Sequence, residues 1–313
     1  MEQNITANPV FSIPDADYDI IPLGDCAADI FELSEIPSDF VLPGFVAGTV
    51  GALIAPGSTG KSMLAMELAA VAAGASILGE AWTPLKTGEV LILAVEDPKN
   101  ELHNRWISLG KSLTKEEKEA NRRVQVVPMF GKSADIMDPA FFGALVRRCN
   151  GKRLLILDTF RRVHSLNEND SGDMAKVIGK FEEFALLTGC AVLFLHHTSK
   201  NASMNGQGGE QQASRGSSVL VDNIRFQMFM VDMNAEAVKA EHLDVEPEDF
   251  KRYVKLGVSK VNYGPKIGEV WLARCEGGIL KPVDDLEFRA YPPATTKTVA
   301  TVKAEEHDDD DFN

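Results

Sequence analysis

Residues 48–74, GTVGALIAPGSTGKSMLAMELAAVAAG, decide the fold of this chain. The stretch begins with a β-rich run, Gly48–Ala55, turns at Pro56-Gly57 and continues into a segment rich in Ala, Leu and Met, Gly60–Gly74. The turn between them, residues 55–62, reads Ala-Pro-Gly-Ser-Thr-Gly-Lys-Ser. It matches the phosphate-binding pattern G-x-x-x-x-G-K-[ST] at every position except the first. The stretch therefore predicts a strand, a phosphate-binding loop (P-loop) and a helix.

The loop residues suit the binding of a nucleotide with Mg²⁺. Backbone N–H groups would surround the phosphates, and the helix N-terminus adds a favourable dipole. Lys61 would reach the β- and γ-phosphates, and the Ser62 hydroxyl would bind Mg²⁺. Ala55 at the first position requires a turn conformation that is open to an L-residue. The alternative is a glycine-rich turn with an incidental Lys-Ser. The predicted nucleotide-binding residues are Pro56, Gly57, Ser58, Thr59, Gly60, Lys61, Ser62 and Met63.

The rest of the chain predicts an α/β fold. Three more apolar runs of strand length are Glu89–Val95, Arg153–Asp158 and Cys190–His196. Helical composition surrounds them, in Pro98–Lys111, Thr114–Arg123, Asp138–Cys149 and Asp173–Thr188. Runs that are apolar on both faces and separated by helices are typical of parallel strands. After about Val219 the pattern alternates, in Ile224–Asp232, Arg252–Ser259 and Glu269–Ala273, with a helical piece at Ala235–His242. We predict a mostly parallel twisted sheet flanked by helices, with antiparallel strands toward the C-terminal part.

Two carboxylates end predicted strands where a nucleotide hydrolase needs them. Asp158 would hold Mg²⁺ directly or through water, because its strand ends at the sheet edge that carries the P-loop. Glu96 would polarise the attacking water as a general base. The alternative is that Glu96 or Asp97 only caps the next helix. His196-His197 close the next strand, where the choice lies between a structural role and a contact with the γ-phosphate.

The net charge of −14 does not exclude nucleic acid as a partner. Residues 1–60 contain nine acidic residues and no Lys or Arg, and residues 305–313 contain six more acids without a base. These carboxylates account for the whole net charge, so residues 61–304 are close to neutral. The acidity belongs to the two ends of the chain.

Cysteine usage and the N-terminus favour a cytoplasmic protein. The four cysteines are scattered and form no C-x-x-C pair, and no His lies at zinc-ligand spacing, which favours reduced thiols. The first residues lack a signal peptide, and the apolar stretch Met63–Ala73 is too short to span a membrane.

Five separated stretches resemble the plasmid RepA-type replicative helicases, which have a RecA-like fold. They are FVLPGFVAGTVGALIAPGSTGKSMLA, LLILDTFRR, LFLHHTSK, QQASRGSSVLVDNIR and VSKVNYG, between about Phe40 and Pro282. The resemblance implies a hexameric ring that hydrolyses ATP with Mg²⁺ and translocates 5′ to 3′ on single-stranded DNA. Replication-initiation or loading proteins would be further partners.

The same resemblance assigns roles to individual residues. It implies that Lys61 and Ser62 are the Walker A residues, Glu96 the catalytic carboxylate, Asp158 the Walker B acid, His197 the γ-phosphate sensor, Arg225 the arginine finger and Lys260 a second position acting on the neighbour's nucleotide. Asn262 stands where many ring helicases have Arg. The residues themselves leave Arg225 open, because it could instead pair with Asp222 or Asp232. We see no arginine near the P-loop in the same chain, which favours one from another subunit.

The chain organisation follows from these observations. We predict an acidic, Pro-containing arm at 1–39, the ATPase domain at 40–290 and a disordered acidic tail at 291–313. Two segments leave the sheet near the nucleotide, Arg161–Asp173 and Ser199–Ser218. The second is rich in Gly, Gln, Asn and Ser, and it is either a DNA-contacting loop or a mobile surface loop.

Two other functions remain open. One is a RecA-like, filament-forming DNA-binding ATPase with slow turnover. The other is a nucleotide-dependent switch ATPase that does not touch DNA, which the acidic ends favour. The tail, with Phe312 after four aspartates, is either a solvated end or a segment that docks on another replication protein or competes with DNA.

Overall fold

The computed structural model describes residues 24–197, 219–264 and 267–283. The chain divides into two units, Met1–Ser38 and Asp39–Asn313. In the first unit the described residues form one short helix, Ala27–Ile30 (α1), which buries no side chain. No helix in the described part of the chain is long and apolar enough to cross a membrane.

The described residues of the second unit contain a nine-stranded sheet and a small two-stranded one. In chain order the strands are Phe40–Leu42 (β1), Phe45–Val46 (β2), Val50–Ala55 (β3), Val90–Ala94 (β4), Val124–Pro128 (β5), Leu154–Asp158 (β6), Ala191–His197 (β7), Phe226–Asp232 (β8), Tyr253–Val261 (β9), Val270–Arg274 (β10) and Leu280–Val283 (β11). β1 pairs with β2, and the large sheet has the order β11-β10-β9-β8-β3-β7-β6-β4-β5. Its strands from β8 to β5 are parallel, whereas β9, β10 and β11 continue it as antiparallel strands. The predicted fold class is confirmed.

Seven α-helices accompany the sheet in the described residues of the second unit. They are Lys61–Ala73 (α2), Lys99–Lys111 (α3), Lys115–Ala120 (α4), Pro139–Cys149 (α5), Ser171–Thr188 (α6), Val219–Asn223 (α7) and Ala235–Glu241 (α8). Successive strand side chains point to opposite faces. Accordingly Leu53 of β3 packs in the core with α2 and α3, whereas Ile54 packs in the core with α5 and α6. The strand β3 is buried over its whole length, as its apolar sequence predicts.

The ends of the helices follow from local chemistry. The Asp138 side chain accepts a hydrogen bond from the Ala140 N–H at the start of α5, and Asp170 does the same for Asp173 in α6. Glycines with positive φ end two helices, Gly74 after α2 and Gly189 after α6. Such caps satisfy groups that the helix leaves without internal partners.

The sequence pattern did not predict four of the strands, β1, β2, β5 and β11. β1 and β2 have only three and two residues. β5 and β11 are the two edges of the large sheet, and each contains a proline, Pro128 and Pro282. Proline is confined to edges because it donates no ladder hydrogen bond, and edge strands lack a fully apolar pattern. The last three residues of the predicted helix Thr114–Arg123 form a separate 3-10 turn, Asn121–Arg123.

A buried carboxyl group joins α2 to the edge strand β11. Glu67 is fully buried, and its Oε1 accepts a hydrogen bond from the Leu280 N–H at 2.7 Å. Burial raises the pKa of Glu67 to about 8, while the Leu280 hydrogen bond acts in the opposite direction. The carboxyl group is therefore mostly protonated near neutral pH, and the helix that follows the P-loop is tied to the C-terminal end of the sheet.

Replacing Glu67 with Gln should change how stability depends on pH. In the folded wild type the pKa of Glu67 is raised. The stability that this carboxyl group contributes is therefore fully present below its unfolded pKa and declines until the pH passes about 8. The loss is roughly 1.4 kcal/mol per pH unit between the two pKa values. The free energy of unfolding of Glu67→Gln relative to wild type should therefore increase from pH 5 to pH 8, measured by urea denaturation.

Glu89→Gln is the matched control. Its exposed carboxylate accepts a hydrogen bond from Lys152, which lowers the pKa of Glu89. The stability that the Glu89 carboxylate contributes is fully present above its unfolded pKa of about 4.3 and is lost only at lower pH. The difference between Glu89→Gln and wild type should therefore stay constant from pH 5 to pH 8. A difference between Glu67→Gln and wild type that stays constant from pH 5 to pH 8 would contradict the assignment.

Candidate functional site

The P-loop follows β3 at the carboxyl edge of the parallel strands. Ala55 is the last residue of β3 and does not have a positive φ, so the first position of the loop is open to an L-residue, as predicted. The left-handed conformations fall instead on Ser58, with φ +64°, and Gly60, with φ +100°. The Thr59 hydroxyl donates to the Pro56 carbonyl at 3.0 Å and closes the loop.

Lys61 folds back into the loop. Its Nζ donates to the carbonyls of Ala55 at 3.1 Å and Pro56 at 2.8 Å, and it lies 3.2 Å from Nδ1 of His197. Only 8% of the residue is exposed, and burial lowers the pKa of Lys61 to about 8. The charge of Asp158 acts in the opposite direction. A buried ammonium group beside backbone carbonyls suits an anionic ligand that can take their place.

Ser62 and Asp158 meet where the first turn of α2 faces the end of β6. Their side chains are hydrogen-bonded, and burial raises the pKa of Asp158 to about 6. The charges of Glu96 and Asp97 raise this pKa further, whereas Ser62 and Arg105 lower it. A hydroxyl and a carboxylate oxygen are the hard ligands that Mg²⁺ prefers, with waters and phosphates completing its coordination. These two residues therefore fit the metal that the sequence predicts.

Glu96 lies at the same edge. The preceding residue, Val95, donates its N–H to the Asp158 carbonyl at 2.7 Å, which places the exposed Glu96 side chain next to β6. Its charge acts on both Lys61 and Asp158. The capping alternative is wrong, because Pro98 caps α3 without any side-chain hydrogen bond.

The two histidines at the end of β7 face opposite sides of the sheet. His196 is buried, and its ring lies 5.2 Å from the ring of Phe160. His197 pairs with Ala55 in the ladder and contacts Lys61. His197 is therefore the histidine placed beside the P-loop, where it can contact the phosphate that Lys61 would hold.

Arg225 and Lys260 lie at the other edge of the sheet. The Arg225 N–H donates to the carbonyl of Val50, at the start of β3, so β3 separates it from the P-loop by about 16 Å at 3.3 Å per residue. Lys260 Nζ donates to the Asp222 carbonyl at 3.0 Å. Burial and then the charge of Arg225 lower the pKa of Lys260. The two residues are near each other in the paired strands, because Lys260 pairs with Gln227 and the Asn262 N–H donates to the Arg225 carbonyl. Within one chain the structure does not bring either residue to the P-loop.

Two arginines that the sequence analysis missed do reach the P-loop edge, so the expectation that this chain offers none there is wrong. Arg105 of α3 forms a bidentate pair with Asp97. Arg274 of β10 donates to the Thr59 carbonyl at 2.9 Å and to Asp232 at 2.6 Å. Asp232 therefore forms its ion pair with Arg274, and the alternative that it pairs with Arg225 is wrong. Arg105 comes eight residues after Asp97, a local signal, whereas no local pattern links Arg274 to Thr59.

Of the two segments that leave the sheet, Arg161–Asp173 follows β6 through the 3-10 turn Phe160–Arg162. Arg161 and Arg162 are exposed there. The segment Ser199–Ser218 and the acidic tail lie outside the described residues.

The sequence profile of the family described as AAA domain matches residues 27–203, more than half of the chain. This chain belongs to the AAA domain family. As an AAA domain protein with this P-loop, it is a P-loop NTPase. The prediction of a P-loop NTPase is therefore confirmed.

Two solved structures share the fold of this AAA domain protein. The first is described as an ATPase domain; it is 17% identical, covers 88% of this chain and 100% of its own, and has a TM-score of 0.56. The second, a DnaB-like replicative helicase described with its interactions with primase, is 14% identical, covers 84% of this chain and 68% of its own, and also has a TM-score of 0.56. These similarities show the fold.

Replacing Glu96 with Gln should separate nucleotide binding from turnover. The amide keeps the shape of the side chain but cannot accept a proton, so the hydrolysis rate should fall by about 10²–10⁴-fold. Nucleotide affinity should stay within a few-fold of wild type, since the groups that would hold phosphate and metal are untouched. Steady-state phosphate release and equilibrium binding of a fluorescent nucleotide measure the two quantities.

Glu101→Gln is the control, because Glu101 is an exposed carboxylate in the first turn of α3. Its turnover should equal that of wild type. Undiminished hydrolysis in Glu96→Gln would remove Glu96 from the reaction.

Proposed function

We propose that this protein is an ATP-dependent replicative DNA helicase of the plasmid RepA type, which acts in the cytoplasm as a hexameric ring on single-stranded DNA. The observation that carries the proposal is the division of the predicted site residues between two edges of one sheet. Lys61, Ser62, Glu96 and Asp158 lie at the P-loop edge, whereas Arg225 lies at the opposite edge. A neighbouring subunit in a ring could supply its Arg225 to this nucleotide site and stabilise the charge of the transition state.

ATP and Mg²⁺ are the proposed cofactors. Bound Mg²⁺–ATP supplies the phosphoryl group and the metal charge that stabilises its transfer. Lys61 would exchange the carbonyls of Ala55 and Pro56 for phosphate oxygens, and Ser62 and Asp158 would hold the metal. Glu96 would orient and polarise the attacking water. His197, in contact with Lys61, would respond to the presence of the γ-phosphate.

The surface around Arg225 suits a second copy of this chain. A shallow depression there is lined by, among others, Glu182, Glu183, Leu186 and Tyr263. Leu186 is 83% exposed, and Leu187 beside it is 57% exposed. A head-to-tail contact that repeats around a closed ring places this edge of one subunit against the P-loop edge of the next. Arg225 would then stabilise the charge on the neighbour's nucleotide, with Lys260 beside it.

DNA contacts are proposed for the two segments that follow β6 and β7. Arg161 and Arg162 are exposed cations at the start of the first, and the second is Ser199–Ser218. The near-neutral body, residues 61–304, permits a moderate affinity for phosphates. We further propose that the acidic arm (1–39) and tail (291–313) flank the ATPase domain (40–290), and that the tail binds replication-initiation or loading proteins.

Hydrolysis and strand displacement test the proposed function directly. Single-stranded DNA should raise the ATPase rate of wild type, because β6 and β7, the strands that precede the two proposed segments, end at the P-loop edge. The same preparation should displace an annealed oligonucleotide and form closed rings in electron micrographs with nucleotide. Lys61→Ala, which lacks the ammonium group in the P-loop, is the inactive control.

Two results would contradict the helicase. Open filaments without displacement would favour a filament-forming DNA-binding ATPase. Equal hydrolysis with and without DNA, together with no DNA binding at ~50 mM salt, would favour a switch ATPase, because phosphate contacts are strongest at low salt.

Mixing two inactive variants tests whether Arg225 acts on a neighbour. Arg225→Ala should bind nucleotide and lose hydrolysis, since its own P-loop is intact. When Arg225→Ala and Lys61→Ala are combined in equal amounts, roughly a quarter of the interfaces in a ring join an intact P-loop to an intact arginine. ATP hydrolysis should return to about that fraction of wild type. Failure of the mixture to exceed its components, with mixed rings verified by tagged subunits, would assign Arg225 a role within its own chain.

A further inference from the structure

Arg274 connects the antiparallel part of the sheet to the P-loop. It is the last residue of β10, and its side chain is 24% exposed. Nη2 donates to the Thr59 carbonyl at 2.9 Å and to Asp232 Oδ1 at 2.6 Å, and Nη1 donates to the Lys251 carbonyl at 2.6 Å. The guanidinium group therefore joins three separate segments, one of which is the P-loop itself.

The hydrogen bond to Thr59 determines the orientation of one peptide unit of the loop. A trans peptide is planar, and its C=O and N–H groups point in opposite directions. When the Thr59 carbonyl points toward Arg274, the Gly60 N–H points away from it. Binding of phosphate by backbone N–H groups requires the carbonyls of the same peptide units to point outward, and buried carbonyls need partners. Arg274 is such a partner for Thr59, which is fully buried.

Gly60 makes this orientation dependent on an external contact. Its φ of +100° lies in a region that glycine populates freely, so the adjoining peptide can rotate at little cost. The Thr59 hydroxyl already donates to Pro56 and closes the loop from within. The outer side of the loop meets the side chains of Leu280 and Met230, which lie 3.9 Å from the place of a Gly60 Cβ and are apolar. Arg274 provides a polar contact there.

We propose that Arg274 is a positioning residue for the P-loop: it holds the Thr59–Gly60 peptide in the orientation that presents N–H groups to the phosphates of a nucleotide. This inference rests on the proposed nucleotide binding and adds a residue that the P-loop motif does not include. Asp232 is the second component, because it binds the same guanidinium nitrogen and its charge also reaches Lys61. Arg274 thus acts through the loop backbone and need not touch the ligand.

Binding measurements without turnover test the inference. The variants are Arg274→Ala, Arg274→Lys and Asp232→Asn, and the ligands are ATP, ADP and inorganic tripolyphosphate, the last by competition with a fluorescent nucleotide. Arg274→Ala should weaken all three ligands by about tenfold or more, the range for loss of a charge-assisted hydrogen bond. Arg274→Lys should recover part of the affinity, since it retains one charged donor. Asp232→Asn should weaken binding less than Arg274→Ala.

Lys281→Ala is the matched control, because Lys281 is an exposed cation on the adjacent strand β11 and pairs with Ala273 in the ladder. It should bind all three ligands like wild type. Thermal melting of each unliganded variant distinguishes lost positioning from lost folding, and the conservative Lys and Asn variants keep the test decisive if Arg274→Ala does not fold.

The outcomes separate this inference from the proposed function. A wild type that binds neither ATP nor ADP would contradict the nucleotide site itself. Wild-type affinity in folded Arg274 variants would overturn the positioning role alone. A loss of ATP affinity with unchanged tripolyphosphate affinity would also overturn it, because Arg274 would then contact the nucleoside.

Discussion

Lys61 and Asp158 carry opposite charges into the protein at the same edge of the sheet. Lys61 is 8% exposed and Asp158 is 7% exposed, and burial shifts both pKa values toward neutrality, to about 8 and about 6. A buried ion costs several kcal/mol unless hydrogen bonds and a partner compensate it. Here the partners are the carbonyls at the start of the loop for Lys61 and the Ser62 hydroxyl for Asp158. Phosphate oxygens could replace the carbonyls, and a divalent cation could bind Asp158 and Ser62. In the absence of ligands, hydrogen bonds within the chain therefore stabilise the charged side chains of the site.

The antiparallel strands β10 and β11 add contacts to the P-loop and to α2. With β9, they extend the parallel sheet on the side of β8, and their residues reach both of its edges. Arg274 on β10 and Leu280 on β11 contact the P-loop and the helix that follows it. Lys260 on β9 lies at the other edge, close to Arg225. The paired strands therefore connect the P-loop edge with the surface proposed for the next subunit.

The sequence predicted those parts of the site that obey a local rule. Lys61, Glu96, Asp158 and His197 each follow or end a parallel strand, and the carboxyl ends of such strands meet at one edge. The same rule applies to Arg225, which precedes β8 and therefore lies at the amino edge of the sheet. The predicted strand Ile224–Asp232 included Arg225, so the sequence did not predict its position at that edge. The contact of Arg274 with Thr59 joins residues 215 positions apart. It depends on which strands pair with each other, and the hydrophobic periodicity of the sequence does not predict that pairing.

The charges at the P-loop edge bear on the proposed role of an arginine from another subunit. Among the described residues, the cations Lys61, Arg105 and Arg274 gather there against the carboxylates Glu96, Asp97, Asp158 and Asp232. Both arginines are already committed to carboxylates of their own chain, so of these three cations Lys61 is the one available to a phosphate. Mg²⁺–ATP is itself anionic, and in the transition state negative charge is spread over the equatorial oxygens of the transferring phosphoryl group. On the proposed function, the missing positive charge has to come from outside the subunit, and Arg225 is placed at an edge where it cannot serve its own site.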